Sequence, residues 1–134
     1  MRTMDAAAAL ANTRAIANLP VRDLDRARAF YGDTLGLAEV DHEGDNVVTY
    51  RSGDSQLLVY RSDYAGTNQA TAATWVLGDR VDDVVRALGE KGVHFEHYDN
   101  LPDTKREGDI HVGCGMRVAW FKDPDGNILN LVSG

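Results

Sequence analysis

The sequence predicts an α+β fold built from two tandem copies of one strand-helix-strand-strand-strand module. Three observations predict it. An aspartate lies thirteen residues before a glycine at two corresponding places, Asp23 before Gly36 and Asp79 before Gly92, and each pair brackets an amphipathic stretch. Each stretch is followed by three short runs of strand-forming residues bounded by turn formers. Residues 50–59, shifted by 71 positions, also lie on residues 121–130. The first module covers residues 13–64 and the second residues 71–134; together they form a single domain, 13–134, with residues 1–12 as a disordered leader or short helix outside it.

The elements follow in order. Residues 15–19 alternate towards Pro20 and read as a strand. Asp23 then caps a helix whose apolar face is Leu24, Ala27, Phe30 and Tyr31, and Gly36 ends it. Strand-like runs come at 37–42, 46–51 and 56–61. In the second copy residues 75–77 lead to Asp79, and Val81, Val84, Val85 and Leu88 make the matching helical face up to Gly92. Asp82 and Asp83 sit in the first turn of that helix, where the positive end of its dipole favours them. The later runs are 93–98, 116–121 and 127–132, the last two joined by a tight turn at Pro124, Asp125 and Gly126. Between them residues 99–115, rich in glycine and charge, read as a long loop, either a lid or a connection.

Composition narrows the function. A chain of 134 residues buries roughly two thirds of its unfolded surface as one domain. Cys114 is the one cysteine, so there is no intrachain disulfide and a reducing compartment suits the chain. A net charge of −7 argues against nucleic acid, whose phosphates need a basic patch, and the alanine run near the start is too short to span a bilayer. The expectation is a cytoplasmic protein with no nucleic-acid or membrane partner.

Two motifs carry a resemblance. NLPVRDLDRARAFYGDTLGL, residues 18–37, and AWFKDPDGNILNLV, residues 119–132, resemble the opening and closing segments of the vicinal oxygen chelate superfamily, which includes glyoxalases, bleomycin-resistance proteins and extradiol dioxygenases. The resemblance implies that each module curls into half of an open barrel-like cleft with its helix outside, that a small molecule binds in the cleft, and that the protein is a homodimer. It also implies where a metal would sit. Metal-dependent members take four ligands from the first and last strands of the two modules, typically His, Gln or Glu. The corresponding positions are Ile16, Val59, Ala73 and Asn130. A divalent cation needs carboxylates or imidazoles, and residues 14–18, 57–61, 71–75 and 128–132 contain no His, Asp, Glu or Cys. No metal and no other cofactor is therefore expected.

Strand parity extends the reading, since residues two apart share a face. The cleft is expected to be lined by Arg14, Ile16, Asn18, Leu57, Val59, Arg61, Ala73, Trp75, Ile128, Asn130 and Val132, with Trp75 as a stacking surface, while Ala15, Ala17, Leu19, Leu58, Tyr60, Leu129 and Leu131 face the helices. Two further pairs are candidates for chemistry: His94 with Glu96 on one strand face, and His111 with Cys114 on the long loop. The expected function is metal-free binding of a small organic molecule. The alternatives are a lyase or dioxygenase-type enzyme with a non-family metal site or metal-independent chemistry, and a structural module with a vestigial cleft.

Overall fold

A computed structural model describes residues 6–134, so the first part of the expected leader, residues 1–5, lies outside the described residues. Ala6–Ala11 form a short helix, α1. Module one runs β1 (Ala17–Val21), α2 (Leu24–Arg28), β2 (Ala38–Glu43), β3 (Val47–Ser52) and β4 (Ser55–Arg61). Asp23 starts α2 by accepting from the backbone N–H groups of Asp25 and Arg26 at 3.0 and 3.2 Å. Beyond Arg28 the helix widens into a π-helical stretch, Ala29–Thr34, closed by a bond from Leu35 N–H to the Phe30 carbonyl at 2.9 Å. Gly36, at φ 79°, then turns the chain out towards the sheet. The strands lie in the order β1-β4-β3-β2, with β1 parallel to β4.

Module two runs β5 (Thr71–Val76), α3 (Val81–Glu90), β6 (Phe95–Glu96), β7 (Lys105–Glu107), β8 (Ile110–Gly113), β9 (Met116–Lys122) and β10 (Ile128–Val132). Its sheet has the order β5-β10-β9-β8-β7, and β6 also pairs with β9. Unlike Asp23, Asp79 does not cap its helix; it lies in a 3₁₀ turn, Gly78–Arg80, and α3 begins with no side-chain cap. One expectation is corrected here. The expected loop 99–115 contains the β7–β8 hairpin, which extends the sheet beside β9. All three residues of β7 are exposed and charged, so the strand has no apolar alternation by which to be recognised.

Each sheet carries its helix on one side, and these two sides face one another. Leu19, Val21, Leu57 and Val59 of the first sheet, Leu129, Leu131 and Phe121 of the second, and the helix residues Leu24, Ala27, Tyr31, Val81, Val85 and Leu88 belong to one continuous core. The Phe30 ring lies 6.2 Å from that of Phe121, and Trp75 stacks on Phe121 at 6.5 Å. Buried polar contacts fasten the seam. The Tyr31 hydroxyl donates to Asp123 Oδ2 at 2.7 Å, and Asn127 Nδ2 donates to the same oxygen at 2.8 Å and to the Pro20 carbonyl at 2.7 Å. Asp123 Oδ1 accepts from the backbone of Asp125 and Asn127, both at 2.9 Å. Burial and the neighbouring Asp123 carboxylate push the Tyr31 phenol far up, so it keeps its proton and remains a donor. The two motifs that carry the family resemblance are thus the two halves of this joint.

Candidate functional site: two open sheet faces

The sides of the two sheets turned away from the shared core are open. Strand register reads their rows directly. On module one, Asn18, Leu58, Thr49 and Asp41 lie side by side across four strands, and Tyr60, Val47 and Glu43 form the next row. Together they line a groove of about 320 Å³. On module two the rows are Thr74, Asn130, Trp120 and Glu96, then Val76, Val132, Val118 and His111.

This register corrects part of the expected lining. Asn18 and Asn130 lie on open faces, and Ile16, just before β1, is 41% exposed. Leu57 and Val59, by contrast, are buried in the shared core, and Ala73 and Trp75 pack against that core. Trp75 donates from Nε1 to Ser52 Oγ at 2.9 Å, across the seam between the modules. With Leu35, Leu37, Leu77, Val84, Leu88, Phe121 and Leu131 it lines an apolar pocket of about 110 Å³ on the helix side. Arg61 also points off the open face, into a polar groove with Arg22, Asp23, Asp25, Arg28 and Asp45. Leu58 and Tyr60, expected against the helices, are on the open face instead.

One extra residue in each of two connections of the second copy accounts for these reversals. In module one Ser52 pairs with Ser55, and the core pair is Tyr50 with Leu57; in module two Lys122 pairs with Ile128, and the core pair is Phe121 with Leu129. A shift of 71 holds before the turn and 72 after it, so Asn130 corresponds to Leu58 and not to Val59. Likewise the helix faces match by 57, but Leu19 and Val21 match Trp75 and Leu77 by 56, because Gly78–Arg80 replaces the two residues Arg22 and Asp23. A slip of one residue sends every side chain of a strand to the other face.

The module-two face carries an aromatic cluster that sequence reasoning missed apart from His111. Trp120 donates from Nε1 to Thr71 Oγ1 at 3.2 Å, and the rings of Tyr98 and His111 meet it edge-on at 5.3 and 4.9 Å. His111 is only 2% exposed. Its Nε2 accepts from the Tyr98 backbone N–H at 2.9 Å, which leaves Nδ1 to donate to the Val118 carbonyl at 3.3 Å. Burial lowers its pKa, only partly opposed by the bond to Val118, so the ring is held neutral in one tautomer. The signal for this cluster was parity in β9: with Phe121 in the core, Trp120 must face outward.

The other candidates do not assemble as pairs. Both nitrogens of His111 are engaged with backbone, and Cys114 is exposed on the β8–β9 turn at φ 51°. Glu96 bonds Lys122 Nζ at 3.3 Å, while His94 is exposed ahead of β6.

A metal fits these faces poorly. The positions that register makes equivalent offer the amides of Asn18 and Asn130, the hydroxyl of Thr74 and the aliphatic Leu58, with neither a carboxylate nor an imidazole among them. Among the described residues no three His, Cys, Asp or Glu side chains gather, and no helix is long and apolar enough to cross a membrane.

Two sheets of this topology, each with a helix behind it and an open face in front, define a duplicated βαβββ protein. The family model for the Glyoxalase/Bleomycin resistance protein/Dioxygenase superfamily matches residues 13–131, and the chain belongs to that superfamily. Among solved structures it is similar to a bleomycin resistance determinant encoded on the transposon Tn5, with 25% identity, a TM-score of 0.67 and coverage of 92% of this chain and 98% of that one. Lactoylglutathione lyase from Agrobacterium tumefaciens has 21% identity and a TM-score of 0.67, covering 90% and 92%. The fosfomycin resistance protein FosX from Mesorhizobium loti has 15% identity and a TM-score of 0.65, covering 92% of both chains. No curated protein sequence matches.

Proposed function

We propose that this chain is a metal-independent binding protein for a small organic molecule, acting in the cytoplasm as a homodimer whose clefts each combine the module-one face of one chain with the module-two face of its partner. The carrying observation is that the two open faces look away from the core that joins the modules, so each is half a cleft. An aliphatic and aromatic floor of Leu58, Val47, Tyr60 and Trp120 with a few amides and hydroxyls, bordered on β2 by Asp41, His42 and Glu43, is the lining that small-molecule sites use. Exposed apolar side chains such as Val76 gain from being covered by a second copy. The likeness to a bleomycin resistance determinant supports a protein that works by affinity. The state of His111, neutral with both nitrogens bonded to backbone, favours binding over acid-base catalysis at that position.

Native mass spectrometry of the purified protein tests this. The expected species has twice the 14.7 kDa mass of one chain, carries no stoichiometric zinc, iron, manganese or nickel, and takes up an organic ligand saturably. A monomer at micromolar concentration refutes the shared cleft, and one tightly bound transition metal per chain refutes the metal-independent reading.

A further inference from the structure

The two nitrogens of His111 hold different parts of the chain. Nδ1 donates to the Val118 carbonyl of β9 at 3.3 Å, while Nε2 accepts the Tyr98 backbone N–H at 2.9 Å. The second bond lies outside the sheet ladders, because β6 ends at Glu96 and residues 97–99 run past the β7–β8 hairpin as a strap. Each residue of the strap is tied to that hairpin through a side chain: His97 to Asp109 at 2.8 Å, Tyr98 to His111, and Asp99 to Arg106 at 2.7 Å. The outer two ties are exposed and screened by solvent, whereas His111 is buried. Tyr98 carries the middle tie to the open face. Its ring meets Trp120 edge-on at 5.3 Å, and it walls a groove of about 400 Å³ together with Lys122, Ile128 and, from the linker between the modules, Asn68 and Gln69. The place of this wall hangs on an acceptor that one proton removes.

The surroundings of His111 do not favour a charged ring. The charges facing it are His97 and Asp99 of the strap and Arg106 of β7, while β9 presents the Val118 carbonyl and the Trp120 ring. Asp99, the one carboxylate among these, is engaged by Arg106. Burial lowers the pKa of the ring against the opposing pull of the Val118 bond. A base weakened in the closed arrangement takes its proton more readily once opened, so falling pH drives opening. We propose that the bond between His111 and Tyr98 is a proton-sensitive latch on the module-two face: a proton from solvent on Nε2 turns the acceptor into a donor, frees the strap at Tyr98 while Nδ1 keeps its hold on Val118, and draws Tyr98 away from Trp120 and from the groove wall. Control of a small-molecule site by this latch rests on the binding reading above; the latch itself can be observed without a ligand.

Nuclear magnetic resonance of the full chain between about pH 7.5 and 5, a range that spans the ordinary histidine pKa, tests the proposal by following the His111 ring, the Tyr98 amide and the two tryptophan indoles. The Tyr98 amide and the Trp120 indole are expected to move with the same midpoint as the His111 ring. Tyr98 should also lose about ten-fold of its protection against hydrogen exchange, corrected for the intrinsic rate, which is the worth of one hydrogen bond. The Trp75 indole, bonded to Ser52 on the helix side, should stay still and so reports that the domain remains folded. In His111→Gln, whose amide oxygen accepts from Tyr98 but takes no proton in this range, the Tyr98 and Trp120 signals should not move. His97→Gln, at an exposed site, should keep the whole transition. Titration of His111 with Tyr98 and Trp120 unmoved overturns the latch, as does a transition that survives in His111→Gln or disappears in His97→Gln. So does a Trp75 indole that moves together with Trp120, or a His111 ring that takes no proton before the domain unfolds. None of these outcomes bears on whether the open faces bind a small molecule, which the native mass and ligand uptake decide separately.

Discussion

His111 is a side chain whose protonation the fold opposes. A charged ring presents N–H at both nitrogens, and Nε2 then meets the Tyr98 N–H as donor against donor. Because burial depresses its pKa in the folded state, the contribution to stability is full above its ordinary pKa of about 6.5 and is lost as pH falls below that value. Urea denaturation between about pH 7.5 and 5 should show this decline, and His111→Gln should remove His111's share of the slope. An identical slope in the two proteins would place the acid sensitivity elsewhere. Trp75 teaches a related lesson on the opposite side of the sheet. Its ring stacks on Phe121 and its N–H bridges to Ser52, so Trp75→Ala should cost roughly 3 kcal/mol of stability, at the low end for a large aromatic because the residue is half-buried. Thermal melts check that figure. A ligand that binds the folded variant as well as wild type agrees with Trp75 standing behind the open faces.

Among the elements, strands were easier to find than to orient. Alternation in β3, β4 and β9 and the glycine stops of both helical stretches were legible, because burial on one face leaves a periodic trace. Which face is buried depends on connection length, and one additional residue before α3 and another in the β9–β10 turn leave no trace in the strands themselves. β7 was illegible for a different reason: it buries nothing. The orientation of β4 can be checked by a pair of substitutions. Val59→Asp should prevent folding, since it places an unpaired carboxylate at a fully buried site, whereas Leu58→Asp on the open face should give a folded protein destabilised by at most about 1 to 2 kcal/mol. Circular dichroism and solubility of the two variants measure the contrast. Equal tolerance of both would mean that the strand is not held in this register.

For the whole molecule, duplication was the strongest signal, and it led to the superfamily without identifying the ligand, because the motifs that name the family are joints and not contacts. Of the expected lining, Asn18 and Asn130 lie on the open faces and Ile16 is exposed just before β1; Trp120 and Tyr98 entered through register that the repeat alone could not supply. The joint between Tyr31 and Asp123 has a consequence in time. Its partners are 92 residues apart, so the bond is expected to form only after both modules have found their sheets, and chains dominated by such distant pairings fold slowly. Removing the carboxylate with Asp123→Ala should therefore leave the refolding rate almost unchanged and raise the unfolding rate by about ten-fold or more in stopped-flow chevrons. A matching loss in the refolding rate would mean that the modules dock before they finish folding. In the expected order, the half-life of the native protein is set at this one clasp.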